Sequence, residues 1–217
     1  MRTLAIFVTL CIGSFAHAET PDFHEVPAAL RIGTAGAPLT VDEREQLGQR
    51  TVLAQLVNDG GPEPWPGIAI AVLDGAPKDV FAVLRDYPHF PEFMPYVQSA
   101  KVDEHTGNRW LVSYIIKGPA GIGNREYQME VFDEKETADG TEYLVSRFRY
   151  TGRGNIVSTV GTWKLVAIWG GKATFARYEV RTDPGGSFTG WLKRKIASSG
   201  LPRVIEAVRK RLPPVGK

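Results

Sequence analysis

The segment DYPHFPEFMPYV, residues 86–97, places three prolines within eight positions. Proline lacks a backbone N–H and clashes with the preceding helical turn, so only about one turn of helix fits between these prolines. Just upstream, Pro77 suits the first position of another helix, which the Tyr87-Pro88 pair ends. The apolar stripe of that helix consists of Val80, Phe81 and Leu84. The stretch therefore predicts a short helical pair.

The residues that flank the helical pair alternate in the manner of strands. Upstream, residues 68–73 form a compact apolar run. Downstream, Arg125, Tyr127, Met129 and Val131 alternate with polar residues at the positions between them, which is a period of two. A second such face consists of Trp110, Val112, Tyr114 and Ile116. Three more strands, over residues 143–150, 157–168 and 174–182, complete a pattern that predicts an antiparallel meander, with a turn at Gly170-Gly171.

The period changes to that of a helix near residue 188. From there to Leu212, apolar residues recur at helical spacing, and Gly200 and Pro202 predict a bend near the middle. An antiparallel sheet with one long amphipathic helix must bury that helix, and a curved sheet does so on its concave face. The predicted fold class is therefore α+β.

The first 18 residues have the features of a secretory signal peptide. Arg2 precedes an apolar stretch over residues 4–15, and Ala16-His17-Ala18 is a small-x-small cleavage site. The single cysteine, Cys11, lies inside this signal, so the mature chain has no thiol for disulfide, nucleophilic or metal chemistry. We therefore predict an exported protein, either periplasmic or secreted.

An N-terminal extension, residues 19–66, precedes the main domain, residues 67–212, and residues 213–217 form a short tail. Prolines and glycines predict an extended arm over residues 19–40. Thr40 is a good N-cap for a short helix over residues 41–47, and β-branched residues in 51–57 favour a strand.

Charge is distributed unevenly along the chain. From Ser187 to the end there are eight Lys and Arg residues against Glu206 alone, so this segment is strongly basic and the rest of the mature chain is acidic. A basic helix on an acidic body is a candidate for transient contact with an anionic membrane surface. The alternative is a solvated helix face whose last arginines complement the helix dipole. Nucleic acid is not an expected partner, because the acidic body would repel phosphate.

No pattern of catalytic or metal-binding residues stands out. The mature chain contains His24, His89 and His105, none with a partner at metal-ligand spacing. No Gly-x-Ser-x-Gly nucleophile motif occurs, and the glycine-rich loop over residues 118–123 lacks the Lys-Ser/Thr of a phosphate loop. We predict neither a metal nor a cofactor.

Large amphipathic side chains are concentrated on one face of the predicted sheet. If each strand keeps its period, the residues on this face are Trp110, Val112, Tyr114, Arg125, Tyr127, Met129, Trp163 and Tyr178, and Phe188 and Trp191 approach from the helix. A buried tyrosine or tryptophan needs a partner for its O–H or N–H. The face is therefore either a filled core or the wall of an apolar cavity with a few polar anchors.

Four motifs, in this order, resemble those of START-like proteins in the polyketide cyclase and coenzyme-Q-binding branch. Ala76-Pro77 with Val80-Phe81 is similar to that group's A-P-x-x-V-(F/W), and segment 86–97 is similar to its D-Y-x-x-(Y/F)-P-x-F-(L/M)-P. Asn124-Arg125-Glu126-Tyr127 resembles R-(D/E)-Y. Asp183-Pro184-Gly185-Gly186 with Trp191-Leu192 resembles D-P-G-G-x-x-P-x-W-L, although Thr189 stands where a proline is common. The match covers residues 67 to 212.

The resemblance implies a helix-grip fold, in which an antiparallel sheet clasps the C-terminal helix and encloses a hydrophobic cavity. The helical pair would then cover one end of the cavity and add Phe90, Phe93 and Met94 to its wall. Loops at residues 118–123 and 152–155 are candidates for its mouth.

Three functions are consistent with these features. The first is an exported, non-enzymatic protein that binds or carries a lipid or other hydrophobic small molecule, and we expect it to be a monomer. The second is a polyketide cyclase or aromatase, which would need a positioned acid or base in the cavity, where only Arg125 and Tyr127 can be placed. The third is an interaction domain with a filled core. An enclosed volume below about 300 Å³ would favour this filled core.

Overall fold

The computed structural model describes residues 20–58, 60, 65–118, 123–185 and 190–213, with side chains from residue 199 onward in the last helix. The predicted signal peptide with Cys11, the loop residues 119–122, Phe188 and the side chain of Trp191 lie outside the described residues.

Eight strands form one antiparallel sheet. In chain order they are β1 (Leu53–Leu56), β2 (Gly67–Asp74), β3 (Val97–Thr106), β4 (Arg109–Ile116), β5 (Arg125–Ala138), β6 (Thr141–Gly154), β7 (Ser158–Ile168) and β8 (Ala173–Asp183). Their order across the sheet is β1-β2-β8-β7-β6-β5-β4-β3, so β3 to β8 form the predicted meander and β2 closes onto β8. The α+β class is confirmed.

Four α-helices accompany the sheet within the described part of the chain. They are α1 (Val41–Gly48), α2 (Pro77–Arg85), α3 (Phe90–Phe93) and α4 (Gly190–Arg211). The chain passes from α2 to α3 through a 3-10 turn, Tyr87–His89, and this helical pair carries it from β2 to β3 at the far edge of the sheet. Thr40 caps α1 as predicted, with a reciprocal bond from the Thr40 backbone N–H to the Glu43 side chain.

β3 has no counterpart among the predicted strands. It lies at the edge of the sheet, and of its ten residues only Ala100 is buried. Because neither face of this strand is regularly apolar, its sequence lacks the alternation that indicates the other strands.

β2 is buried on both faces, which explains why its sequence is apolar throughout. Ala69, Ala71 and Leu73 face α2 and α4, and Ile70 and Val72 face the opposite side of the sheet. Small residues beneath α4 let the helix approach closely. A Cβ added at Gly67 would lie only 2.8 Å from Leu201 Cδ1.

The prediction of an extended arm over residues 19–40 is wrong. This segment forms turns that pack on the face of the sheet opposite α4, where Phe23, Val26, Leu30 and Leu39 are buried. The ring of Phe23 contacts those of Trp169 and Phe175, with centroids 6.2 and 5.6 Å apart. The apolar residues here are spaced by turns rather than by a regular period, so the sequence pattern does not reveal them.

Candidate functional site

A cavity of about 200 Å³ lies between the helical pair, the inner face of the sheet and α4. Its described wall is mostly apolar and aromatic, with contributions from α2, α3, β3 to β8 and Val204 of α4. The volume equals roughly seven water molecules' share of liquid and is below the 300–1,000 Å³ of common ligand pockets. By the volume criterion given above, this size favours a filled core over a ligand pocket.

The structure brings seven of the predicted wall residues to this cavity. They are Phe90, Met94, Tyr114, Tyr127, Met129, Trp163 and Tyr178. Alternation places Tyr127 and Met129 inward from β5, as expected, and Tyr114 pairs directly with Tyr127 across β4 and β5. That these residues bind a ligand stays a prediction.

Four predicted wall residues lie elsewhere. Val112 is fully buried in the adjacent core, and the ring of Phe93 lies 5.4 Å from the guanidinium carbon of Arg211. Trp110 stacks on His105 and donates from Nε1 to Asp133 at 3.1 Å. Arg125 donates to the backbone carbonyls of Pro184 and Gly123, at 2.8 and 3.2 Å.

Sequence patterns missed several polar residues of the wall. These are Arg85, Tyr87, Ser146, Thr159 and Thr182. The patterns also missed Phe148, whose ring folds over Gly161 on the neighbouring strand. A Cβ at Gly161 would lie 2.2 Å from Phe148 Cζ, so this position needs glycine for the ring to reach the cavity.

Arg85 is the charged group of the described wall, and its charge is matched by Asp133. Its side chain is 13% exposed and that of Asp133 is 15% exposed. Nε donates to Asp133 Oδ2 at 2.5 Å, and Nη2 donates to Asp133 Oδ1 and, at 2.7 Å, to Ser146 Oγ. Nη1 donates to the carbonyl of Leu84 at 3.0 Å and to the hydroxyl of Tyr87 at 3.2 Å. A guanidinium has five N–H donors, so every donor of Arg85 has a protein partner.

Unlike the donors of Arg85, three tyrosine hydroxyls of the wall lack a hydrogen-bond partner within the described residues. Tyr114, Tyr127 and Tyr178 line the cavity, and within the described residues their hydroxyls make no hydrogen bond. The rings are held by stacking, Tyr114 on Tyr127 with centroids 5.6 Å apart and Tyr178 on Trp163 at 4.4 Å. Burial raises the pKa of each of these phenols above its ordinary value, so they remain protonated donors at neutral pH.

The described wall contains no carboxylate and no imidazole; its titratable groups are Arg85 and four tyrosines. Nor do three or more His, Cys, Asp or Glu side chains gather as a metal site among the described residues. The site can therefore enclose a mostly apolar molecule and donate hydrogen bonds to an oxygen acceptor that this molecule carries.

Charged residues on the surface fasten the helical pair to α4. His89 Nδ1 lies 2.5 Å from Asp86 Oδ1, and Arg211 contacts both Asp86 and Glu92, at 3.2 and 3.6 Å. Burial alone would raise the pKa of Asp86, but hydrogen bonds from His89 and Arg211 lower it below its ordinary value. The hydrogen bond to Asp86 raises the pKa of His89.

A second, open cleft of about 580 Å³ lies near the end of α4, between Arg50, Asp74, Trp169, Lys172 and Arg209. Its arginines hold the N-terminal segment to the domain. Arg50 bonds Asp74 at 2.5 Å and lies 4.7 Å from the centroid of Trp169, and Arg209 donates to the carbonyls of Arg50 and Val72. Ala173, Leu212 and Pro213 complete its lining, so apolar surface lies beside the paired charges there.

Residues 73–209 match the family described as polyketide cyclase / dehydrase and lipid transport. No curated protein sequence matches the chain.

Solved structures share the fold. A STAR-related lipid transfer protein fragment from Xanthomonas axonopodis is 23% identical with a TM-score of 0.65, over 73% of this chain and 92% of that one. Human StAR-related lipid transfer protein 5 is 10% identical with a TM-score of 0.60, over 74% and 81%. Human STARD10 is 16% identical with a TM-score of 0.58, over 73% and 68%. These similarities confirm the START-like, helix-grip fold.

The substitution Met129→Trp tests whether the cavity is open. An indole can enter open space, so the free energy of unfolding should change by less than about 1 kcal/mol, whereas overpacking a filled core costs about 1–3 kcal/mol. Binding of the neutral fluorescent probe N-phenyl-1-naphthylamine should weaken at least tenfold, which is about 1.4 kcal/mol. Urea unfolding and fluorescence titration measure the two effects.

Met129→Leu conserves the side-chain volume and is the matched control. We expect its free energy of unfolding and its affinity for the probe to be near those of the parent. A large loss of stability in Met129→Trp, together with no probe binding by the parent, would identify this face as filled core.

We also predict that His89 titrates above the ordinary value of about 6.5. Because its pKa is raised in the folded state, the stability that it contributes is complete below pH 6.5 and is lost as the pH rises through the folded pKa. Asp86 has a lowered pKa, so its contribution is present above about pH 4 and is lost as the pH falls through its folded value. The fastening of the helical pair should therefore be strongest between about pH 4 and 6.5.

NMR titration of the imidazole protons of His89 measures this directly. In Asp86→Asn the pKa of His89 should fall toward its ordinary value. His24, whose pKa is raised by its own bond to Asp22, should be unaffected and serves as the internal control. An unchanged His89 titration in Asp86→Asn would exclude this pair as the cause.

Proposed function

Because the chain belongs to the polyketide cyclase / dehydrase and lipid transport family, we propose that it binds a lipid or other hydrophobic small molecule in the cavity under its helical pair. The observation that carries this proposal is that three phenols line one space and make no hydrogen bond within the described residues. Their hydroxyls are not among the described polar atoms that are both inaccessible and unpartnered, so they reach the space of the cavity rather than close-packed protein. A molecule bound there can accept hydrogen bonds from them.

The volume limits how such a ligand is held. About 200 Å³ accommodates a small molecule or one end of a longer lipid. A longer chain would require the helical pair to move away from the sheet. That movement would separate the largely buried pair of Arg85 on α2 and Asp133 on β5, as well as the exposed contacts of Arg211 with Asp86 and Glu92. Because breaking a buried ion pair is costly, the present volume limits how much of the ligand is held.

Family membership does not separate binding from catalysis, since the description names cyclases as well as lipid transport. An aldol-type cyclisation needs a general base that is effective near neutral pH. In the described wall the candidates are phenols whose pKa is raised by burial, together with a fully paired arginine. We therefore propose a binding protein rather than an enzyme.

We further propose that the protein is exported through the signal sequence over residues 1–18 and acts as a monomer. Within the described residues, no helix is long and apolar enough to cross a membrane. An exported carrier would take its ligand from, or deliver it to, a membrane surface.

The experiment that tests the function is solvent extraction of the protein purified from the cells that make it, followed by mass spectrometry. We expect one class of apolar molecule at close to one per protein, and much less in Met129→Trp purified in the same way. Protein that yields no apolar molecule and binds no apolar probe would overturn the proposal.

The described basic residues of α4 bear on the membrane contact proposed for this helix. Arg203, Arg209 and Arg211 are engaged with Tyr96, Glu206 and Asp86, whereas Lys210 is exposed. We propose the basic cluster near the start of the helix, Lys193, Arg194 and Lys195, as the candidate for anionic lipid. The C-terminal arginines instead favour the alternative of a structural role.

Binding to vesicles that contain phosphatidylserine should fall as salt is added, because the attraction is screened over about 10 Å at 0.1 M. Replacing Lys193, Arg194 and Lys195 by glutamate should weaken binding further than the same change at the exposed residues Lys78, Lys101 and Lys117. Equal binding to neutral vesicles, or none to either kind, would leave α4 as a solvated helix face. Vesicle sedimentation measures all of these.

A further inference from the structure

The polar groups of the cavity differ in what they can still bind. All five donors of Arg85 are used within the protein, and its charge is matched by Asp133 at a site where both side chains are largely buried. Ser146, which is 1% exposed, accepts one of these bonds. Thr159 and Thr182 bond each other through their hydroxyls, 2.7 Å apart. A ligand carboxylate entering this cavity would thus find no free N–H on a cation in the described wall.

The donors that remain are uncharged O–H groups. Besides the phenols of Tyr114, Tyr127 and Tyr178, they include the O–H groups of Tyr87 and Ser146, whose oxygens accept from Arg85, and that of one threonine of the Thr159–Thr182 pair. Tyr114 and Tyr127 occupy a directly paired position on β4 and β5, and Tyr178 faces the same small space from β8. Burial raises the pKa of Tyr178, so its hydroxyl stays protonated at neutral pH. Protonated phenols can each donate one hydrogen bond, but they bring no positive charge.

An ionised ligand group would pay a large desolvation cost in such a site. Moving a charge from water into a protein interior costs several kcal/mol unless an opposite charge compensates it. A carbonyl or ether oxygen loses much less hydration free energy on leaving water. It regains this free energy by accepting hydrogen bonds from the phenols.

We propose that Tyr114, Tyr127 and Tyr178 form a polar subsite that selects an uncharged ligand with an oxygen acceptor, such as a ketone or quinone carbonyl, over a free carboxylate. This inference rests on the proposed function and narrows the class of ligand. The apolar remainder of the ligand would contact the side of the cavity formed by Phe90, Met94 and Met129.

The test compares 2-octanone, octanoate and octane as competitors of N-phenyl-1-naphthylamine at pH 7.5, in sealed cells. We expect 2-octanone to displace the probe at a concentration at least tenfold lower than octanoate. Tyr127→Phe and Tyr178→Phe keep the ring and remove the hydroxyl. Each substitution should lower the affinity for 2-octanone about fivefold, which corresponds to one ordinary hydrogen bond, and should leave the affinity for octane unchanged.

Tyr150→Phe is the matched control, because its hydroxyl donates to the carbonyl of Gly154 and does not line the cavity. Thermal unfolding of each variant establishes that it is folded. If octanoate binds more tightly than 2-octanone, or if Tyr127→Phe and Tyr178→Phe affect 2-octanone no more than Tyr150→Phe does, the subsite is refuted although the cavity still binds apolar molecules. If the parent binds neither the probe nor any competitor, the proposed function itself fails.

Discussion

The close packing of α4 against β2 and β1 is the contact on which the rest of the structure depends. Leu201, Ile205 and Val208 of the helix are buried in one cluster with Ala69 and Ala71 of β2, whose small side chains let the two backbones approach. Since β1 and β2 lie at one edge of the sheet, the helix covers that side tightly. The helical pair covers the inner face of β4 to β6, and the cavity lies between this pair and α4.

The cavity combines two kinds of polar group, and their difference determines what the site can do. Arg85 is neutralised by Asp133, which does not line the cavity, and all its donors are used, so it acts only as part of the wall. Removing one partner of such a buried pair costs about 3–5 kcal/mol, which makes the pair structurally important without making it a ligand anchor. The phenols, by contrast, are positioned by stacking and retain their donors. Preorganised donors in an apolar space fix the orientation of a ligand that has few polar atoms.

Sequence patterns predicted the elements whose residues follow a regular period. The alternation from Arg125 to Val131 correctly placed Tyr127 and Met129 inward, and Pro77 and Thr40 correctly marked the starts of two helices. The edge strand β3 was missed because it is exposed and lacks alternation.

Contacts between distant residues could not be predicted in this way. Arg85 and Asp133 are 48 positions apart, and neither position is unusual in its own local pattern. Arg125 keeps the predicted alternation along its strand, but its guanidinium turns to loop carbonyls. Phe23 fills the outer face from a segment without periodicity. The volume of the cavity depends on how all these side chains pack, so it can only be measured on the folded chain.

A crystal structure of the protein bound to 2-octanone tests the phenol subsite most directly. We expect the ketone to lie under the helical pair, with its oxygen within about 3 Å of at least two of the hydroxyls of Tyr114, Tyr127 and Tyr178. A ketone in the cleft between Arg50 and Arg209, or one whose oxygen points away from all three phenols, would contradict it.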